Sequence, residues 1–136
     1  MRNTKEKEHY LKEIYRFESA NILVSVSNLS KVLGVSKSSV SNMVKKLVAM
    51  HLLNSAPYRS IEFTSKGRDL ARTIVAKHRL IELFLVEVMG FESKNVHDIA
   101  EEIEHIESPA FFRKVKKMLD NRDTDPHGSP IPDVKF

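Results

Sequence analysis

The chain has 136 residues, 41% of them apolar, enough for one core or for two small units sharing an interface. It contains no cysteine, which excludes disulfides, thiolate metal sites and cysteine nucleophiles, so a metal would have to be met by His, Asp, Glu, backbone or water. The net charge of +4 is unevenly spread: 15 of the 22 Lys and Arg but only 6 of the 18 Asp and Glu occur through Arg79. A basic part suited to nucleic acid therefore precedes an acidic part suited to cations.

No run approaches the roughly eighteen apolar residues of a membrane span, and the start MRNTKEKEHY is too charged for a signal peptide. A cytoplasmic protein with no membrane partner is expected. From about Thr4 to Ser19, Tyr10, Leu11, Ile14, Tyr15 and Phe17 recur at helical spacing. A second helix is expected over Ser25 to Leu33, closed by Gly34 in a tight turn. Ser36 then caps a third helix, SKSSVSNMVKKLVAM, whose buried stripe is Val40, Met43, Val44, Leu47 and Val48.

The opposite face of that third helix carries Lys37, Ser38, Ser39, Ser41, Asn42, Lys45 and Lys46. A helix, a glycine turn and a polar helix make the helix-turn-helix pattern, whose second helix enters the major groove. Short hydroxyl and amide side chains there, with that of Ser36, can meet base edges or phosphates, and the lysines neutralise phosphates. LLNSA and SIEFT read as two short strands around Pro57, Tyr58 and Arg59, a hairpin that makes the unit winged. Arg59 at its tip is a candidate DNA contact, although a surface arginine at a turn needs no function.

Thr64 and Ser65 open a long helix reaching Met89, increasingly apolar from Leu80 onward, which suggests burial between two subunits. Gly90 ends it, Ser93 caps a helix carrying His97 to His105, and Pro109 starts a last helix to about Leu119. The tail NRDTDPHGSPIPDVKF has no period, and Asp125 and His127 within it are possible extra ligands. On the helix with His97, positions 97, 101, 104 and 105 span an arc of about 100°. His97, Glu101, Glu104 and His105 thus share one face, with Val96, Ile99, Ile103 and Ile106 opposite. That is either a mixed nitrogen and oxygen metal site or a solvated acidic face.

TSKG after the wing, KHRLIELFL at 77–85, VHDIAEEIEH at 96–105 and GSPIP at 128–132 follow one another in an order that resembles the diphtheria toxin repressor and manganese transport regulator family. The resemblance implies a mainly α fold: a winged helix-turn-helix DNA-binding domain over 1–70, then a helical metal-binding and dimerisation domain over 71–136 with an irregular tail. It further implies one metal site of Glu101, Glu104 and His105 completed by His9, and a second, separate site of His78, Glu82 and His97. Relatives carry methionine or aspartate at the position of His9. Lys12 stands where the manganese branch has a glutamate, and a cation there cannot ligate a metal. The iron branch places cysteine where Glu101 stands and adds an SH3-like domain not found in these residues, which leans the expectation toward manganese, Mn2+, ahead of Fe2+ and Zn2+.

The implied function is that of a homodimeric repressor which, once metal-loaded, binds palindromic double-stranded operator DNA and silences metal-uptake genes, and which is no enzyme. Metal joining the first helix to the acidic one would set the spacing of the two recognition helices for half-sites about 34 Å apart. A metallohydrolase is the alternative of another class, but HExxH is absent and no nucleophile or base stands out. A DNA-binding regulator with a vestigial metal site is the third.

Overall fold

A computed structural model describes residues 5–57, 59–120 and 122–136, and the chain divides into two units, 1–71 and 72–136. Three helices start where the sequence places a serine with a free hydroxyl. Ser25 accepts from the Asn28 N–H at 3.0 Å and opens α2 (Val26–Leu33). Ser36 accepts from Ser39 at 3.1 Å to open α3 (Lys37–Ala49), and Ser108 from Phe111 at 3.3 Å to open α6 (Pro109–Met118). Each cap satisfies one of the N–H groups that a helix start leaves without a partner.

In the first unit α1 (Lys5–Ser19) buries Tyr10, Leu11 and Ile14. Thr4, the expected first residue of that helix, lies outside the described residues. Gly34 adopts φ +66° and its N–H returns to the Ser30 carbonyl, which turns the chain from α2 into α3 without a Cβ clash. Helix α3 buries Val40, Met43, Val44 and Leu47. Val48, expected in the same stripe, is 36% exposed. It lies at the edge of the apolar arc, where α3 turns its lysine face outward.

The wing is short. β1 (Leu53–Asn54) and β2 (Glu62–Phe63) pair antiparallel, Leu53 opposite Phe63, and the Ile61 N–H donates to the Val24 carbonyl at 3.0 Å. Of the expected turn residues, Arg59 is exposed and Tyr58 lies outside the described residues. The TSKG run then has a geometric reason. The Thr64 hydroxyl donates to the His51 carbonyl at 2.7 Å and accepts from Gly67 N–H at 3.0 Å. This presses the first turn of α4 (Ser65–Glu87) so close to the wing that a Cβ on Gly67 would stand 1.8 Å from the Leu52 oxygen. Only glycine fits there.

In the second unit the apolar half of α4 meets a core of its own chain. Leu80, Ile81, Leu83 and Leu85 are buried with Val96, Ala100, Phe112, Val115 and Leu119, and Phe84, Val86, Ile131 and Phe136 pack on the rim. Most of the surface expected to require a second subunit is therefore covered by α5 (His97–Ile103), α6 and the tail. Val88, Met89 and Phe91 remain exposed beyond the helix end, where Gly90 takes φ +79°.

Two further expectations change here. Ser93 starts a single 3-10 turn, Ser93–Asn95, and makes no cap for the helix bearing His97. That helix stops at Ile103, leaving Glu104 as its C-cap and His105 in the following turn. Five residues on, Ser108 at φ −73°, ψ 109° is extended, as the residue before a proline prefers, and caps the next helix. The tail lacks regular periodicity as expected, yet it is tied down. Thr124 bridges Pro130, and Ile131 N–H donates to the Asp123 carbonyl at 2.8 Å.

Candidate metal centre and nucleic-acid surface

Helix α4 brings His78 and Glu82 to one face because they are four residues apart, and both are buried. Their atoms His78 Nε2 and Glu82 Oε1 lie 3.3 Å apart. From α5, His97 Nδ1 lies 3.9 Å from Glu82 Oε2, and the His97 ring meets the His78 ring edge-on with centroids 4.9 Å apart. One donor atom from each of His78, Glu82 and His97 falls within 4.8 Å of the others. The resemblance names the same three residues as a set.

Glu101 and Glu104 fall beside this triad. His78 Nδ1 and Glu104 Oε2 are 2.5 Å apart, and His97 Nε2 and Glu101 Oε1 are 2.8 Å apart. An ionised carboxylate only accepts, so His78 Nδ1 donates to Glu104 and His97 Nε2 to Glu101. The other nitrogens, His78 Nε2 and His97 Nδ1, face Glu82, where a divalent cation would take the place of a proton. A carboxylate that fixes the tautomer of a ligating imidazole is a recurrent feature of metal sites. The donor set of two imidazoles and a carboxylate fits a divalent cation of manganese, iron or zinc type.

The other expected set draws its members from both units. Glu104 Oε1 lies 3.6 Å from His105 Nε2, while its second oxygen is taken by His78. The two expected sites therefore meet at Glu104 within this unit, instead of lying apart. His9 belongs to the first unit, where its imidazole lies 3.9 Å from Glu13, itself held by Arg16 at 3.0 Å. Lys12 is buried, at 4% exposure.

Electrostatics centres the cluster on Glu82. Burial pushes its carboxyl upward, but the His78 hydrogen bond and the charges of His78, His127 and His97 outweigh this and hold it below its ordinary value. The appearance of His127 reveals what the sequence left open: Glu82, Asp125 and His127 also bring donor atoms within 4.8 Å of one another. Their separation of more than 40 residues conceals this grouping, and the only signal is the pair Asp125 and His127 two apart in a turn-rich tail.

In the first unit, Lys37, Ser38, Ser39, Asn42, Lys45 and Lys46 are exposed on α3, and Ser41 is half-buried. The Ser36 hydroxyl is committed to its cap and to Ser39 Oγ at 2.9 Å. No acidic side chain lies on α3, which leaves its outer face to lysines, hydroxyls and the Asn42 amide.

Comparison with known proteins completes the description. The model of the iron dependent repressor N-terminal DNA binding domain matches residues 3–61, and that of the iron dependent repressor metal binding and dimerisation domain matches 64–133. The chain belongs to the iron-dependent repressor family. Among members of this family, the diphtheria toxin repressor of Corynebacterium glutamicum is 35% identical over 92% of this chain and 55% of its own length. The iron-dependent repressor IdeR of Mycobacterium tuberculosis is 38% identical, covering 92% and 54%. A solved structure of the manganese regulator SloR superposes with a TM-score of 0.84 at 35% identity, over 96% of this chain and 60% of that one. The chain thus spans about half the length of the curated repressors it matches. Among the described residues no helix is long and apolar enough to cross a membrane.

Proposed function

We propose that this chain is a metal-dependent transcriptional repressor, in which a divalent cation, manganese first and ferrous iron or zinc behind it, switches a homodimer to binding palindromic operator DNA upstream of metal-uptake genes. The observation that carries the reading is the convergence of His78, Glu82 and His97, with Glu104 and Glu101 orienting both imidazoles, in a chain whose other unit presents a cationic helix-turn-helix face. Neither half alone would support it. The cysteine-free donor set supports manganese, since softer thiolate ligands are what iron and zinc sites would add. The lengths compared above do not bear on the choice.

When bound, the cation supplies a positive centre that neutralises buried carboxylate. The protein's own part is to keep Glu82 ionised, to aim His78 Nε2 and His97 Nδ1 at Glu82 through Glu104 and Glu101, and to offer Lys37, Lys45 and Lys46 to phosphates. Ser38, Ser39, Ser41 and Asn42 face the base edges, and Arg59 reaches phosphate or minor groove from the wing. Glu101, Glu104 and His105 serve the second set the resemblance implies, with His9 as its α1 member. Repression requires no covalent chemistry, and the reading assigns none.

The deciding experiment is operator binding by the purified protein with and without manganese, in wild type and in Glu82→Gln, Glu104→Ala and His105→Ala. Metal-dependent affinity that collapses in Glu82→Gln is expected. Affinity that ignores both metal and substitution defeats the reading. Lys45→Gln should weaken binding to all sequences alike and lower the salt slope by about 1.

A further inference from the structure

The run KHRLIELFL places Lys77 beside His78, and of the two it is the histidine that meets Glu82. Successive residues of a helix point about 100° apart, so Lys77 leaves α4 on a different face. Its Nζ donates to the Ile106 carbonyl at 3.1 Å and stands 5.0 Å from the centre of the fully buried Phe112 ring. A cationic donor held between a carbonyl and an aromatic face is fixed more firmly than a lysine that meets only water. One side chain of α4 thereby grips both the turn after α5 and the start of α6.

The grip falls on a stretch that has already left its helix. Helix α5 ends at Ile103, after which the Glu104 N–H donates to the Ala100 carbonyl at 2.9 Å and the Ile106 N–H to that of Ile103 at 3.0 Å. His105 lies between those two donors, and α6 begins only after Ser108. The Ile106 carbonyl, one residue beyond His105, is where Lys77 ties this stretch back to α4. Helix α4 also carries His78 and Glu82, so the lysine sets where Glu104 and His105 stand relative to them.

We propose that Lys77 is a positioning residue of the metal centre, pinning the turn that bears His105 to the helix that bears His78 and Glu82. The proposal rests on the reading that Glu101, Glu104 and His105 help to hold a divalent cation. Electrostatics alone predicts the opposite effect, because removing one cation from the neighbourhood of another tightens the binding of the second. Removing a support that aims a ligand loosens binding instead, by roughly 10- to 100-fold where such supports act on metal ligands.

Titration calorimetry of the full chain with manganese tests it, alongside amide exchange of the metal-free protein. Lys77→Met keeps the apolar stem over Phe112 but loses donor and charge. It should speed exchange over 104–107 and weaken by about 10-fold the binding step that His105→Ala abolishes. Lys77→Arg keeps donor and charge and should bind manganese as wild type does. In a His105→Ala background, Lys77→Met should leave the remaining manganese binding unmoved, since a residue acting through another has no effect once that one is gone. Unchanged or tighter binding in Lys77→Met, unchanged exchange over 104–107, an equal loss in Lys77→Arg, or a further loss in the double variant each overturns the proposal. A His105→Ala protein that binds manganese like wild type also overturns it, and leaves the site of His78, Glu82 and His97 standing. Wild-type protein that takes up no manganese defeats the metal reading and the proposal together.

Discussion

The two units place their candidate binding charges differently. The first unit displays its charge, with Lys37, Lys45 and Lys46 exposed on a helix whose apolar stripe is closed to water. The second buries part of its charge: His78, Glu82, Glu104 and Asp125 all have less than a tenth of their surface accessible. Displayed charge needs only a scaffold of caps and turns, which local sequence can specify. Buried charge needs partners brought from several elements, and burying it without them costs several kcal/mol. The difference separates a surface made for a polyanion from a pocket made for a small cation.

Phe112→Ala presses hardest on this contrast. Phe112 is fully buried, stacks on Phe136 and carries the Lys77 ammonium 5.0 Å above its ring. Its loss should cost the second unit about 4 kcal/mol. Thermal unfolding followed by hydrogen exchange should show only residues 72–136 weakened, and equal weakening of both units would mean that they melt as one.

Gly67→Ala is the corresponding blow to the first unit. The new methyl meets backbone oxygen, not a flexible side chain, and about 3 kcal/mol should be lost. Circular dichroism melts would report it. A neutral result would show that the wing yields more readily than its hydrogen bonds imply.

A smaller test is Ser36→Ala, which removes the α3 cap and should cost about 1 kcal/mol in urea unfolding. Ser36→Thr keeps a capping hydroxyl and should match wild type in both stability and operator affinity. Ser36→Asp should keep the stability but lose affinity, since a carboxylate repels phosphate. Undiminished affinity in Ser36→Asp would place this end of α3 away from the phosphates.

The least effect is expected from pH. In metal-free protein the Glu82 carboxyl is depressed below 4.5, so it contributes stability above that pH that is lost as pH falls through its folded value. Acid titration should find wild type losing stability relative to Glu82→Gln below about 4.5. Parallel curves would mean that the carboxyl is not depressed.

Helix periodicity, the Ser36 cap, Gly34 and Gly90 were legible in the sequence, because each acts within four residues of itself, whereas the cap expected of Ser93 does not form. The end of α5 at Ile103 was not legible, because the 100° periodicity continues through Glu104 and His105 with no local stop signal. The self-coverage of α4 was not legible, since an apolar face does not say whether its cover comes from the same chain or from another. The site divides the same way. His78 with Glu82, and His97 with Glu101, stand at helical spacing and could be found. The bond from Glu104 to His78, and the approach of Asp125 and His127 to Glu82, depend on how α4, α5 and the tail pack.

Arg72, Arg79, Arg113 and Lys116 hold the last seven residues chiefly by main-chain oxygens, Arg113 reaching that of Phe136 at 2.9 Å. A grip on carbonyls reads the register of a peptide and not its spelling. Residues such as Val134 and Lys135 are thus open to substitution over evolutionary time, whereas insertion of a single residue just after Pro130 would shift the three later oxygens past their cations. In this segment, length is the quantity that selection can see.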